Sequence, residues 1–364
     1  MVEYPGEIKD LEDKIAKTKY NKSTQFAIGL MKAKLAKLKE KQESRGSGTK
    51  KMDGYDVRKT GDGTVILIGF PSVGKSTLLN DLTNAESKTA AYAFTTLTVV
   101  PGVMHYQDAK IQILDVPGIV RGAAAGTGRG REVLSVMRSA DLAILVIDVN
   151  QPEHYDAIVK EVRDAHIRVN QERPDVKITK QSTGGIKVAA TVPLTKIDHE
   201  TVKAICKEFR LMNADIIIRT DIDADEFIDC LEGNKQYIPA ITIVNKIDMA
   251  TEKQIEHVVR LVKADLAVSA KEKIYIEQLK GVIFEKLDLI RVYLKEPGKE
   301  ADLKVPLIVS RKSTVASVCN KLHKDFVKKF KFCRVWGKSS KFPGQKLMLE
   351  HRLLDRDILE IHLR

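Results

Sequence analysis

The feature that most constrains the fold is a glycine-rich segment between a predicted strand and a predicted helix. Gly69-Phe-Pro-Ser-Val-Gly-Lys-Ser76 matches G-x-x-x-x-G-K-[ST]; it follows the apolar run Thr64–Phe70 and opens a helix predicted over Lys75–Thr83. In that context backbone N–H groups and the helix N-terminus surround phosphate oxygens, whereas a plain glycine turn is the alternative. The residues expected at the phosphates are Gly69, Phe70, Pro71, Ser72, Val73, Gly74, Lys75, Ser76 and Thr77.

Two charged groups and a hydroxyl suggest how phosphate and metal would be held. Lys75 can reach the β- and γ-phosphates, and the Ser76 hydroxyl can bind Mg²⁺. Asp115-Val-Pro-Gly118 closes the predicted strand Lys110–Asp115, which supplies a carboxylate to the Mg²⁺ shell and, at Gly118, an N–H that can sense the γ-phosphate. We therefore expect Lys75 and Gly118 to act on the terminal phosphate, and Ser76 and Asp115 to hold the metal.

Two further motifs at predicted strand ends point to a base. Asn245-Lys246-Ile-Asp248 follows an apolar run, and the Asp248 carboxylate can accept hydrogen bonds from the N1–H and 2-amino groups of guanine. Adenine lacks that donor pair and would leave the carboxylate unpaired, which costs several kcal/mol. Ser269-Ala270-Lys271 would place the Ala270 N–H at guanine O6. Four motifs in this order predict GTP and GDP as the ligands.

A threonine-containing segment lies between the two predicted metal ligands. In Tyr92-Ala-Phe94-Thr95-Thr96-Leu97, a threonine hydroxyl would complete the Mg²⁺ shell only while the γ-phosphate is present. The segment would then be a switch that responds to the nucleotide. A loop stabilised by ordinary threonine turns is the alternative.

Short apolar strands alternate with amphipathic stretches from Thr64 onward, which predicts an α/β fold: a mainly parallel sheet with helices on both faces. The interval from about Ala165 to Lys235 breaks this rhythm and is typical of a small inserted α+β unit. After residue 298, short strands and a single helix suggest a β-grasp domain. The remaining predicted strands are Val103–Tyr106, Leu142–Val149, Asp215–Arg219, Ala240–Asn245, Leu266–Ser269, Val305–Ser310, Cys333–Trp336 and Ile358–Leu363, and the remaining helices lie near Arg131–Ser139, His199–Phe209, Asp223–Glu232, Thr251–Val262, Ile274–Tyr293 and Val315–Phe330.

The net charge of +12 is concentrated at the two ends of the 364-residue chain. Residues 1–60 carry a net +6 and residues 291–364 a net +10, while residues 61–290 carry −4. Basic ends favour an anionic partner such as RNA. Two helices predicted on either side of Asn21–Ser23 carry a lysine series that is either a solvated face or an RNA- or partner-binding surface: Lys32, Lys34, Lys37, Lys39 and Lys41.

Basic and aromatic side chains are interleaved in the last module. At helical spacing, Phe326 and Phe330 are expected in the core of that domain. The lysines are candidates for RNA contacts, with a solvated face as the alternative. The set comprises Lys324, Lys328, Lys329 and Lys331, interleaved with Phe326, Phe330, Phe332 and Trp336.

Hydropathy and cysteine usage argue against membrane and secreted proteins. The longest apolar runs are far shorter than the roughly 20 residues of a membrane span, and the acidic N-terminus MVEYPGEIKDLEDK has no apolar signal-peptide core. The four cysteines, Cys206, Cys230, Cys319 and Cys333, form no CxxC pair, so reduced thiols are expected rather than disulfides or a zinc site. We expect a cytoplasmic protein without a membrane partner.

The segments GFPSVGKSTLL, FTTL, DVPGIVRGAAAGTGRGR, NKID and SAK together resemble the Obg-type GTPases, and the whole chain resembles their developmentally regulated GTP-binding (DRG) family. The resemblance implies a helix-turn-helix-like segment (1–50), a GTPase domain (62–165 and 236–290), an insertion similar to domain 2 of ribosomal protein S5 (166–235) and a terminal TGS domain (291–364). It makes Thr96 the Mg²⁺ ligand, within a nucleotide-contacting Phe94-Thr95-Thr96. It also implies a dedicated regulatory protein and ribosome or rRNA association through the basic ends, and no DNA partner.

The chain departs from many small GTPases at a position that matters for hydrolysis. Many small GTPases carry a glutamine after the D-x-x-G glycine to orient the attacking water, but this chain has Ile119. Slow intrinsic turnover, a group supplied from elsewhere, or a monovalent cation such as K⁺ are the open alternatives, and Ser72 stands where the best-understood potassium site has asparagine. A GTP-hydrolysing factor in translation is the leading hypothesis. A ribosome-assembly GTPase and an RNA-binding adaptor with structural nucleotide are the alternatives.

Overall fold

The structure, a computed structural model, describes residues 4–45, 61–83, 100–115, 137 and 139–364. The predictions for Phe94, Thr95, Thr96, Gly118 and most of the helix near Arg131–Ser139 lie outside these residues. The chain divides into two compact units: residues 1–54 with 166–237 form the first unit, and residues 55–165 with 238–364 form the second unit. The N-terminal helices therefore belong with the inserted segment, a grouping that the sequence did not indicate.

The described elements are as follows. The helices are α1 (Tyr4–Lys17), α2 (Gln25–Arg45), α3 (Lys75–Thr83), α4 (His154–Asp164), α5 (His199–Glu208), α6 (Ala224–Glu232), α7 (Glu252–Val262), α8 (Ile276–Lys286), α9 (Val315–Leu322) and α10 (Lys324–Lys329). The strands are β1 (Gly63–Ile68), β2 (Val100–Tyr106), β3 (Ala109–Asp115), β4 (Leu142–Asp148), β5 (Ile167–Val169), β6 (Val176–Lys180), β7 (Ile186–Ala190), β8 (Ala214–Ile218), β9 (Gln236–Ile238), β10 (Ala240–Asn245), β11 (Leu266–Ala267), β12 (Leu289–Lys295), β13 (Leu307–Ser310), β14 (Phe330–Trp336), β15 (Gln345–Leu347) and β16 (Asp357–Leu363).

A six-stranded sheet in the order β11-β10-β4-β1-β3-β2 forms the centre of the second unit. Its strand pairs are parallel except for β2 with β3. Every residue of β1, β4 and β10 is buried, because helices cover both faces of the sheet. Ile243 of β10 packs in the cluster that includes α3 and α8, and the neighbouring Val244 packs with α7 on the other face. This arrangement confirms the predicted α/β class.

The C-terminal part of the second unit is a five-stranded sheet in the order β13-β12-β16-β14-β15, with α9 and α10 packed on one face. Here two predicted helices are present, but their predicted extents are wrong. The helix near Ile274–Tyr293 ends at Lys286, and after Asp288, which has a left-handed φ of 53°, the chain continues as β12. The helix near Val315–Phe330 is broken at His323, whose extended backbone lets its Nδ1 accept the Asp325 N–H and cap α10.

In the first unit, α1 packs on α2, and α2 also packs on α5 and α6. These helices share a core with a three-stranded sheet in the order β6-β8-β7. The lysine series of α2 is partly used inside this unit. Lys32 pairs with Asp225 at 2.7 Å, and Lys37 pairs with Glu208 at 3.6 Å. Lys39 pairs with Glu12 at 2.9 Å. At least three of the five lysines therefore neutralise carboxylates of the same unit.

The described helices and the four cysteines bear on the expectations about membrane spans and disulfides. No described helix is both long and apolar enough to cross a membrane. The four cysteines are free thiols, three of them buried, and the described residues contain no cluster of His, Cys, Asp and Glu suited to a metal ion.

Candidate nucleotide-binding site

The glycine-rich loop joins the C-terminal end of β1 to the N-terminus of α3. Gly74 has a φ of +95°, and a Cβ placed on it would lie 2.4 Å from Asn245 Nδ2. A Cβ on Gly69 would lie 2.6 Å from the Val146 carbonyl oxygen. Both glycines are thus required by the neighbouring strands β4 and β10, which bring the loop close to the edge of the sheet.

The Lys75 side chain lies within this loop. Its Nζ donates to the Gly69 carbonyl at 3.0 Å and to the Phe70 carbonyl at 2.9 Å, and only 9% of the residue is exposed. Burial lowers the pKa of the Lys75 ammonium, and the charge of Asp115 partly opposes that shift. A buried ammonium with neutral partners would gain strongly from an anion, which is the chemistry of a phosphate site.

A hydroxyl and a carboxylate lie beside this lysine. Ser76, in the first turn of α3, donates from Oγ to Oδ2 of Asp115, the last residue of β3, at 2.7 Å. The other carboxylate oxygen, Oδ1, is buried and has no hydrogen-bond partner among the described residues. A buried, unpaired carboxylate oxygen next to a serine hydroxyl fits a hard cation such as Mg²⁺, which prefers oxygen ligands.

Asn245 connects the phosphate loop to the Ser269-Ala270-Lys271 segment. Its Nδ2 donates to the Val73 carbonyl at 2.8 Å, and its Oδ1 accepts the Ala270 N–H at 3.0 Å. The asparagine is 1% exposed, so both bonds are shielded from water. The Ala270 N–H, which the sequence predicts at guanine O6, donates to Asn245 Oδ1 in the structure.

Asp248 lies at the exposed end of this region, in a short 3-10 turn over Ile247–Met249. Its Oδ1 accepts the Ser269 hydroxyl at 2.5 Å, and Ser269 in turn accepts the Glu272 N–H at 3.1 Å. The serine of the SAK segment thus orients the aspartate. Lys271 is 79% exposed in its side chain and pairs with Glu272 at 3.5 Å.

Several contacts at this site were not anticipated from the sequence. Lys246 has a left-handed φ of 66° and pairs with Asp148 at 2.7 Å. Asp148 ends β4 and is in register with Asn245, so its position at a strand end was a usable signal. His154, at the start of α4, stacks on the Phe70 ring with centroids 3.9 Å apart, and no sequence pattern indicated that contact.

The chain is similar to known proteins over nearly its whole length. A family model described as "50S ribosome-binding GTPase" matches residues 64–180, and "C-terminal region of MMR_HSR1 domain" matches residues 183–289. A TGS domain model matches residues 290–363. The Developmentally-regulated GTP-binding protein 1 of Xenopus laevis is 41% identical over 358 residues, which cover 97% of each chain. This chain belongs to the developmentally regulated GTP-binding protein family.

Two other relatives are similar to this chain over nearly its full length. An uncharacterized GTP-binding protein of Methanocaldococcus jannaschii is 51% identical to this DRG family member over 362 residues, covering 98% of this chain and 92% of the relative. The Ribosome-interacting GTPase 1 of Saccharomyces cerevisiae is 41% identical over 360 residues, 97% of each chain. The resemblance to the DRG family seen in the sequence motifs is therefore confirmed, including the terminal TGS domain.

Proposed function

We propose that this DRG family member binds GTP with Mg²⁺ and hydrolyses it to GDP and phosphate. The observation that carries the proposal is the triad of Lys75, Ser76 and Asp115. Among the described residues, a buried ammonium whose hydrogen-bond partners are carbonyl oxygens lies beside a carboxylate with one unpaired oxygen, at the loop that precedes a helix N-terminus. Cation and carboxylate together suit a phosphate–magnesium ligand.

The site residues described above have separate roles in this proposal. Loop N–H groups and Lys75 would bind phosphate oxygens, Ser76 and Asp115 would hold Mg²⁺, and Asp248 would bind the guanine edge. Mg²⁺, when bound, supplies positive charge that offsets the charge of the phosphate oxygens. Asn245 would keep the phosphate loop and the base-binding segment at a fixed separation through its two hydrogen bonds.

The motif match extends the proposal to residues outside the described ranges. Thr96 would add a metal ligand when the γ-phosphate is present, with Phe94 and Thr95 in the same switch, and Gly118 would contribute its N–H. Because Ile119 cannot hydrogen-bond water through its side chain, we propose slow intrinsic turnover, raised by a regulatory protein or by a monovalent cation.

Hydrolysis is the first test. Phosphate release from GTP by the purified full chain should be measurable with Mg²⁺, should stop when EDTA removes the metal, and should be faster in KCl than in NaCl at equal ionic strength. The salt comparison isolates the cation, because both solutions screen charges equally. Equal rates in the two salts would remove potassium from the proposal. No release above buffer, even with ribosomes and the regulatory protein, would leave the adaptor alternative.

We further propose that the chain associates with ribosomes through its basic ends. The yeast relative is named a ribosome-interacting GTPase, and residues 291–364 carry a net +10. Because lysines of α2 are paired with carboxylates inside the first unit, the C-terminal module would supply the larger part of the attraction.

Gradient sedimentation tests this association and separates its alternatives. We expect the chain to migrate with complete ribosomes and polysomes and to leave them as salt rises, because contacts to phosphates weaken with salt. Migration with subunit precursors alone would favour the ribosome-assembly alternative instead. Migration at the top of the gradient at low salt would contradict both.

A further inference from the structure

The C-terminal sheet has two faces of different character. One face packs against α9 and α10 through Cys333, Val335 and Leu359. Since side chains alternate along a strand, the residues between them project from the opposite face. The cross-strand pairs Phe332 with His362, Arg334 with Glu360, and Lys295 with Glu360 lie there. We call this the outer face and define it by Lys295, Phe332, Arg334, Trp336, Lys346 and His362.

Aromatic rings and cations of the outer face are in direct contact. The Lys295 ammonium lies 4.5 Å from the centroid of the Trp336 ring, and the Lys346 ammonium lies 4.8 Å from that of Phe332. The His362 ring stacks on Phe332 with centroids 4.3 Å apart and 19° between the planes. The Lys346 ammonium therefore covers the side of the Phe332 ring that His362 leaves open, and this cation–π contact is weak enough to be exchanged for a phosphate.

A buried carboxylate organises the same face. Glu360 is 2% exposed; its Oε2 accepts from Lys295 Nζ at 2.5 Å, and its Oε1 lies 2.7 Å from His362 Nε2. Burial alone would raise the pKa of Glu360, but the hydrogen bonds from Lys295 and His362 outweigh it and hold that pKa below its usual range. Glu360 thus neutralises one cation, and the exposed Arg334 and Lys346 leave the face positive.

We propose that the outer face binds single-stranded RNA, with Arg334 and Lys346 contacting phosphates and with a base taking the place of the Lys346 ammonium on the Phe332 ring. The proposal rests on the ribosome association proposed above and names the surface that carries it. Rings alternate with cations on an open sheet, the arrangement by which sheet-based domains bind unpaired RNA. A surface that binds another protein through an apolar patch would not carry the cations of the outer face. The net charge of +10 on residues 291–364 also complements a polyanion such as RNA.

The burial of the aromatic rings next to α10 argues against this helix as the main RNA contact. Phe330 is buried and Phe326 is partly buried in the core of the domain, so their rings do not accompany Lys328 and Lys329 at the surface. Both lysines are exposed on α10, which packs on the opposite side of the sheet from the outer face. They provide charge without stacking, and therefore a matched control.

The test is binding of a fluorescent oligouridine of about 12 nucleotides to the full chain, measured by anisotropy across a salt series. Arg334→Ala/Lys346→Ala should weaken binding about tenfold and flatten the plot of log K against log salt by about 1.4, the value for two phosphate contacts on a single strand. Lys328→Ala/Lys329→Ala removes the same charge and should change affinity less than about twofold if the outer face is the site.

A ring variant separates stacking from charge. Phe332→Leu should weaken binding while the salt slope stays unchanged, and Phe332→Tyr, which keeps the ring, should restore it. Thermal melting of each variant checks the fold, and the tyrosine variant remains informative if the leucine variant unfolds.

Three results would overturn the outer face as an RNA site. Equal losses in the two double variants would mean that charge alone matters. Loss of regulatory-protein binding with unchanged RNA affinity would make the face a protein surface. Wild-type chain that sediments with ribosomes but binds no oligouridine would reject this inference and keep the proposed association, whereas failure of both assays would reject the association too.

Discussion

Lys75→Ala is expected to lower GTP turnover by about 10²- to 10³-fold, the usual cost of removing one preorganised donor from a charged transition state. The ammonium is buried in the phosphate loop and bonds the carbonyls of Gly69 and Phe70. Neither alanine nor water in the vacated space would replace the charge of the ammonium. The terminal phosphate would therefore lose both a contact and a counter-charge. Phosphate release under single-turnover conditions measures the effect on chemistry.

The control for this variant is Lys253→Ala, which removes an exposed lysine of α7 from the same unit. Its turnover should match the wild type. Lys75→Ala should not unfold the domain, because burial already disfavours the charged lysine and lowers its pKa. A stable Lys75→Ala protein that turns over GTP within about twofold of the wild type would show that this loop is not the reaction site.

The strands of the central sheet could be predicted from the sequence to within a few residues at each end. Strands β1, β4 and β10 are buried on both faces, so each is a continuous apolar run that no amphipathic helix would produce. The segment over Ile274–Tyr293 was harder because Leu289, Ile290 and Val292 fit both a helical and an alternating pattern. Only the turn at Asp288 and the pairing of β12 with β13 and β16 decide between them.

The candidate site was predictable as a set of residue types and not as a set of contacts. The motifs named Lys75, Ser76 and Asp115, because phosphate and Mg²⁺ chemistry restricts those positions to few side chains. The bonds of Asn245 to Val73 and Ala270 join segments far apart in the chain, so local pattern could not reveal them. The lysines of α2 were undecided for the same reason: Asp225 and Glu208, which neutralise two of them, come from the inserted segment.

Asp248→Asn should reverse the base preference of the protein. The Asp248 carboxylate would accept both the N1–H and the 2-amino group of guanine, and losing a charged acceptor should weaken GTP binding by about 10²-fold. Xanthine carries a carbonyl in place of that amino group, so the new amide can donate to it. Displacement of a fluorescent GDP by GTP, xanthosine triphosphate and ATP measures the three affinities.

The Ser269 contact fixes which way the new amide points. Ser269 donates to Oδ1 of Asp248 at 2.5 Å, so in the asparagine variant the amide oxygen would keep that bond and the NH₂ group would face position 2 of the base. Ser269→Ala is the control: the loosened aspartate should bind GTP less tightly but still prefer it over xanthosine triphosphate. An Asp248→Asn protein with unchanged preference would remove this aspartate from base recognition, because a carboxylate that bonds the 2-amino group cannot be replaced by a donor without a change in selectivity.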